Sequence, residues 1–136
     1  MQHAYLFECD DAWIAALNAT FAPWRSKVSI IKKRVGDTND SENITIDEFL
    51  QGKNTGNIFL KMDVEGYERN VLEGARQTLS GNGISINCAI CTYHKSGDAE
   101  EISAMLSENS FESQFTEGFL FFEKELRKAV VRSKKR

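Results

Sequence analysis

Between Asn57 and Leu79 the chain passes from an apolar run of strand length to a helical hydrophobic period, with two carboxylates at the change. NIFLKMD, Asn57 to Asp63, reads as a buried strand. After Gly66, residues Tyr67, Val71, Leu72, Ala75 and Leu79 fall at helical spacing. Asp63 and Glu65 sit where one period gives way to the other. A buried strand has no use for two acids at its end unless something there takes negative charge or donates hydrogen bonds.

The same alternation recurs along the chain. AYLFE, Ala4 to Glu8, is a short strand, and Asp10 or Asp11 caps a helix with Trp13, Ile14, Leu17 and Phe21 on one face. Pro23 closes that helix, and VSIIKKRV, Val28 to Val35, is the second strand, ending in Gly36-Asp37. DTNDSEN is a loop, and Thr45 with Glu48 forms a capping box for the short helix TIDEFL. SGNG turns into the strand ISINCAICTY, and Asp98 with Glu101 forms a second capping box, opening a helix through Ile102, Met105 and Leu106. FESQFT, a Glu117-Gly118 turn and FLFFE read as an antiparallel hairpin. Strands alternating with helices imply an α/β fold, a parallel sheet with helices on its faces.

A chain of 136 residues suffices for one core, and 41% hydrophobic with 27% charged residues excludes disorder by composition. No apolar run approaches the roughly 20 residues of a membrane span. MQHAYLFECDD lacks the basic start of a signal peptide, so a cytoplasmic location is expected. Cys88 and Cys91 form a C-x-x-C, but within a strand their side chains point to opposite faces, and they read as buried structural thiols. Two histidines without ligand spacing to that pair argue against zinc. Residues 124–136 hold seven basic residues against one acid, leaving −9 on the remainder, and read as a basic, solvated C-terminal tail beyond a domain spanning 1–123. Nothing upstream interleaves basic and aromatic residues as a nucleic-acid surface does, so neither nucleic acid nor a membrane is an expected partner.

Ligands of an open parallel sheet bind beyond the carboxyl ends of its strands. Those ends carry Glu8, then Asp37, then Asp63 with Glu65, then Tyr93 with His94. Four strands delivering polar groups to one edge suggest a ligand site. Glu8 either grips a ribose diol with two carboxylate oxygens or helps cap the helix after it. For Asp63 and Glu65 three roles stay open: a helix cap, a pair of metal ligands in a phosphoester enzyme, or a general base. Spacing favours the cap for Glu65 and a ligand-facing place for Asp63, with Lys61 as its ion-pair partner. His94 is a candidate base because its side chain titrates nearest neutrality. No metal is expected among the site residues.

KMDVEGYERNVLEGA, Lys61 to Ala75, resembles the K-I-D-V-E-G-x-E and V-L-x-G-A signature of FkbM-type methyltransferases that use S-adenosylmethionine. AYLFECDD is similar to that family's second strand, ITIDEFL to its T-x-D segment, and CTYH to its next strand ending in histidine. The resemblance implies a Rossmann-like class I methyltransferase sheet, mostly parallel with a C-terminal antiparallel hairpin. It implies that Glu8 holds the cofactor's ribose, that Asp37 lies near its adenine, and that Asp63, Glu65 and His94 face the methyl acceptor, a small molecule or sugar hydroxyl. The family's glycine loop precedes the strand with which this chain opens, so the sheet is expected to lack its first strand–helix unit. The strands ending at Glu8 and Asp63 then close up, meet a partner chain or second copy, or leave an exposed edge. A non-catalytic fragment or interaction module is the rival reading.

Overall fold

The computed structural model describes residues 3–53 and 55–135. β1 (Ala4–Glu8) and β2 (Val28–Lys32) run parallel, with Ala4 opposite Val28 and Glu8 opposite Lys32. Between them lies α1 (Asp11–Thr20), whose N-cap is Asp10: its Oδ1 accepts from the backbone N–H of Ala12 and Trp13. Pro23 lies in a 3₁₀ turn at Ala22–Trp24, where its fixed φ is tolerated. The expected apolar face of α1 finds little cover, for the helix has no buried residue and Trp13 is 65% exposed.

The strand expected over Val28 to Val35 breaks at Lys33, whose N–H turns back to Ile31 O while its Nζ reaches the carbonyls of Asp40 and Ser41. β3 (Arg34–Val35) then pairs in parallel with β4 (Asn43–Ile44). α2 (Ile46–Leu50) begins as half of the expected capping box: Thr45 Oγ1 accepts from Glu48 N, but Thr45 N donates to Asn39 Oδ1 instead of Glu48. Phe49 of α2 meets Tyr5 and Phe7 edge-on at 4.9 Å, which ties β1 to α2.

A mixed four-stranded sheet holds the core. β5 (Asn57–Met62) pairs in parallel with β6 (Ser85–Cys91), and β10 (Val130–Lys135) lies antiparallel between β6 and β7 (Glu112–Phe115). Ile86, Ile90 and Val131 of the sheet and Leu72, Leu79, Ile102 and Leu106 of the helices are all at most 2% exposed. The architecture is α/β, as expected. The β1–β2 pair, however, is a separate sheet, and β5 is an edge strand with Phe59 70% exposed. The two strands ending at Glu8 and Asp63 have not closed up.

The helix expected from Gly66 through Leu79 is two: α3 (Glu68–Glu73) and α4 (Arg76–Ser80). At the break, Gly74 lies against another backbone, since a Cβ there would sit 2.0 Å from Gly36 O. Asp47 then takes the free N–H groups of Gln77 and Thr78 at 2.9 and 2.8 Å, starting α4 anew. α5 (Asp98–Glu108) starts where expected but without its capping box. Asp98 is buried, accepts from Lys95 N and pairs with Arg69, which also pairs with Glu101.

Two expectations fail at the C-terminal end. The hairpin joins β8 (Leu120–Phe122) to β9 (Glu125–Arg127), while FESQF pairs with β10. Its turn places Glu123 and Lys124 at φ of 49° and 68°, without the Asn-Gly that announces such turns. Residues 124–135 therefore carry β9 and β10 instead of trailing in solvent. Lys and Arg alternate there with inward Val131 and Ser133, both buried, so a count of charge concealed a strand's period of two.

Candidate functional site

Because β5 and β6 are parallel, Asp63 after one and Tyr93-His94 after the other leave the sheet at the same edge. The chain between β5 and α3 makes its turn through two left-handed residues, Glu65 at φ 53° and Gly66 at φ 88°. Glycine is required at the second: a Cβ would also meet Lys95 Cε at 2.9 Å and His94 Cβ at 3.6 Å. Glu65 bears a backbone conformation costing roughly 1 kcal/mol or more. The turn brings its Oε2 to 3.5 Å from His94 Nε2, although the side chain is 88% exposed.

Around His94 three carboxylates converge. Asp63 Oδ1 lies 3.6 Å from Nε2, on the same ring nitrogen as Glu65. Glu68, fully buried as the first residue of α3, lies 2.9 Å from Nδ1 and accepts from Val64 N at 3.0 Å. The Glu68–His94 contact is close but off the hydrogen-bond axis. Neither ring nitrogen, nor Glu68 Oε2, has a hydrogen-bond partner among the described residues. One ligand atom each from Asp63, Glu68 and His94 lies within 4.8 Å of the others, a spacing that suits a cation.

The imidazole is held from several sides. Tyr93 lies 4.2 Å from it, and Phe122 meets it edge-on at 6.3 Å between ring centres. Arg127, from β9, donates through Nη1 to the carbonyls of Tyr93 and His94 at 2.8 and 3.1 Å. Glu123 and Glu125 balance its charge.

Asp63 also takes the Tyr93 hydroxyl at 3.3 Å, and Lys61 stands 3.6 Å from its other oxygen, the pairing expected of that lysine. Partial burial pushes the Asp63 carboxyl upward. The Cys91 thiol's hydrogen bond, the Lys61 charge, the Tyr93 hydroxyl and His94 outweigh it and hold the carboxyl below its usual range. Burial, then the charge of Asp63, pushes the Tyr93 hydroxyl to about 12. Burial alone raises the Cys88 thiol to about 12. Cys91 reaches about 11, by burial first and then by its hydrogen bond to Asp63. Both cysteines are free and buried.

The remaining expected site residues have partners of their own. Glu8 Oε1 accepts from the backbone of Cys9 at 2.7 Å and Asp10 at 2.9 Å, the local capping role. Asp37 Oδ2 accepts from Asn70 Nδ2 at 3.0 Å on α3. Among the described residues no hydrogen bond or ion pair joins either acid to the Asp63–His94 group. A cavity of about 460 Å³ beside Ala99, Ser103 and Phe115 contains none of these acids.

Two residues of the His94 surroundings escaped the sequence reading. Glu68 had a signal: it shares helical spacing with Val71, Leu72 and Ala75, so it is an acid on an apolar face. Arg127 had none, being one cation in a basic run.

A family model described as the methyltransferase FkbM domain matches residues 8–128. The crystal structure of methyltransferase FkbM from Methylobacillus flagellatus KT superposes with a TM-score of 0.73 at 17% identity, over 97% of this chain. This chain spans 36% of that protein's length. A Clostridium thermocellum protein described as an rRNA methylase superposes with a TM-score of 0.53 at 10% identity, over 98% of this chain and 74% of its own. These likenesses concern the fold. No curated protein sequence matches the chain. Among the described residues no helix is long and apolar enough to cross a membrane.

Proposed function

The chain belongs to the FkbM methyltransferase family, and from that premise we propose that it moves a methyl group from S-adenosylmethionine to a hydroxyl of a small molecule or sugar. The observation that carries this reading is the meeting of Asp63, Glu65 and His94 at the shared edge of β5 and β6. S-adenosylmethionine supplies the electrophilic methyl group, which the acceptor oxygen takes in line from sulfur. Asp63, Glu65 and His94 line the place of the hydroxyl, and one of them receives its proton. Glu8 grips a ribose hydroxyl with Oε2, the oxygen its own backbone leaves free, and Asp37 lies near the adenine. The fold, on this reading, is a Rossmann-like class I methyltransferase sheet without its first strand–helix unit.

A second reading is favoured by the separation of β1–β2 from the central sheet and by the open edge of β5. There the chain is a non-catalytic module, or half of a site that a partner chain or second copy completes at that edge. Calorimetric titration with S-adenosylhomocysteine, on the native chain and on Glu8→Ala, separates the two. Methyl transfer requires saturable binding that weakens in the variant. No binding by a folded chain at millimolar ligand sinks the methyl-transfer reading for this chain alone. Sedimentation velocity on the same samples reports whether a dimer accompanies binding.

A further inference from the structure

The groups at the end of β5 and β6 are arranged for more than a proton. Glu68 is 0% exposed and the His94 side chain 5%, and Glu68 Oε2 and both imidazole nitrogens lack hydrogen-bond partners among the described residues. Buried polar atoms of this kind almost always have a partner. Their placement says what kind. Glu68 Oε1 lies 2.9 Å from His94 Nδ1 and Asp63 Oδ1 3.6 Å from Nε2, so the two carboxylates flank different ring nitrogens. An ion shared by all three sits on one nitrogen, with the farther ligand atom within 4.8 Å. Adjacent ligands around a cation with bonds of about 2.1 Å lie roughly 3 Å apart. Three ligand atoms, one from each residue, already fall within 4.8 Å of each other.

The charge balance agrees. Asp63, Glu65 and Glu68 bring three carboxylates to one imidazole. Among the described residues the lysine in ion-pair range is Lys61, which faces Asp63 Oδ2, while Oδ1 takes the Tyr93 hydroxyl and faces the ring. Arg69, next to Glu68 in sequence, is held instead by Asp98 and Glu101.

We infer that Asp63, Glu68 and His94 bind one divalent cation, with the exposed carboxylate of Glu65 near enough to close over it. One imidazole and two carboxylates suit zinc, or manganese among the harder ions, better than calcium or magnesium, which prefer oxygen ligands alone. The cation's catalytic use rests on the methyl-transfer reading. The ion takes the acceptor through two neighbouring oxygens, as in a vicinal diol or a 2-hydroxy acid, and acidifies the bound hydroxyl. Glu65 then accepts the proton as the oxygen takes the methyl group and the carbon–sulfur bond breaks.

The test uses the full chain without methyl donor, so that its result is independent of cofactor binding. Manganese and zinc chlorides are titrated calorimetrically into the native chain, Asp63→Asn, Glu68→Gln and the distant Glu112→Gln. The two histidines, His3 and His94, give separate imidazole signals in proton NMR. The expected result is one saturable ion per chain, weakened about tenfold or more in Asp63→Asn and Glu68→Gln and unchanged in Glu112→Gln. Substoichiometric manganese broadens His94 before His3. Absence of saturable binding at millimolar metal, equal affinity in all four proteins, or equal broadening of both histidines overturns the inference. Because Asp63 is half-exposed, its variant stays informative even where Glu68→Gln fails to fold. A chain that binds metal but not S-adenosylhomocysteine keeps the cation site and loses the methyl-transfer reading. The reverse result keeps methyl transfer and removes the cation.

Discussion

Arg127 fastens the His94 segment to the C-terminal hairpin, and replacing it with methionine tests that role while keeping the side chain's apolar stem. The guanidinium donates to Tyr93 O and His94 O at 2.8 and 3.1 Å from a side chain that is 10% exposed. Hydrogen bonds from a charged donor contribute about 1.5–3 kcal/mol each. Both carbonyl residues are only partly buried, so water re-solvates them in the variant and the lower value applies to each. The pairs with Glu123 and Glu125 add little, since those acids are 65% and 52% exposed. Arg127→Met is therefore expected to lose about 2–3 kcal/mol, a fall in urea midpoint of about 1–2 M for ordinary slopes. Glu125→Gln should stay within about 0.5 kcal/mol of the native chain. The His94 imidazole resonance should also move in Arg127→Met, reporting the loosened turn. A loss below about 0.5 kcal/mol with an unmoved His94 signal refutes the clamp.

Two further perturbations probe the frame and the charge of the site. Gly74→Ala places a methyl 2.0 Å from Gly36 O, where only backbone can yield, so a loss of about 3 kcal/mol or more is expected in urea unfolding; an unchanged midpoint contradicts the packing described. Asp63 is held below its usual range, so its contribution is present above the unfolded value of about 4 and is lost as pH falls through the lower folded value. Acid unfolding followed by circular dichroism should therefore show the native chain losing stability relative to Asp63→Asn across that window; parallel curves for the two proteins contradict the assigned shift.

Much of the frame is visible in hydrophobic period and local chemistry. AYLFE, NIFLKM and SINCAIC form strands because their apolar runs are short and bounded by turn residues. Asp10 and Thr45 cap helices because their side-chain oxygens reach N–H groups that no helix can satisfy internally. The alternation of these elements carries the α/β class, and parallel pairing of β5 with β6 follows from the helices between them. Asp63, Glu65 and His94 could be grouped from sequence because parallel strands end on one edge. Glu8 and Asp37 follow strands of other sheets, so their relation to that group is not carried by one shared edge.

Tertiary structure decided what no single segment contains. The helix after Gly66 breaks because Gly36 backbone meets Gly74 and Asp47 caps the next turn, partners about 30 residues or more distant in sequence. The basic C-terminal run becomes an inner strand because β6 and β7 both offer open edges to it, and long-range pairing outweighs its charge. Glu68 is tolerated at 0% exposure only beside His94 and Val64 N, and Arg127 acquires a role only where the hairpin folds over Tyr93. Hydrophobic period and the local caps of α1 and α2 are properties of neighbours along the chain, and the sequence determined them by itself. The surroundings of His94 depend on which distant groups share a desolvated space, and that is set by the packing of the whole.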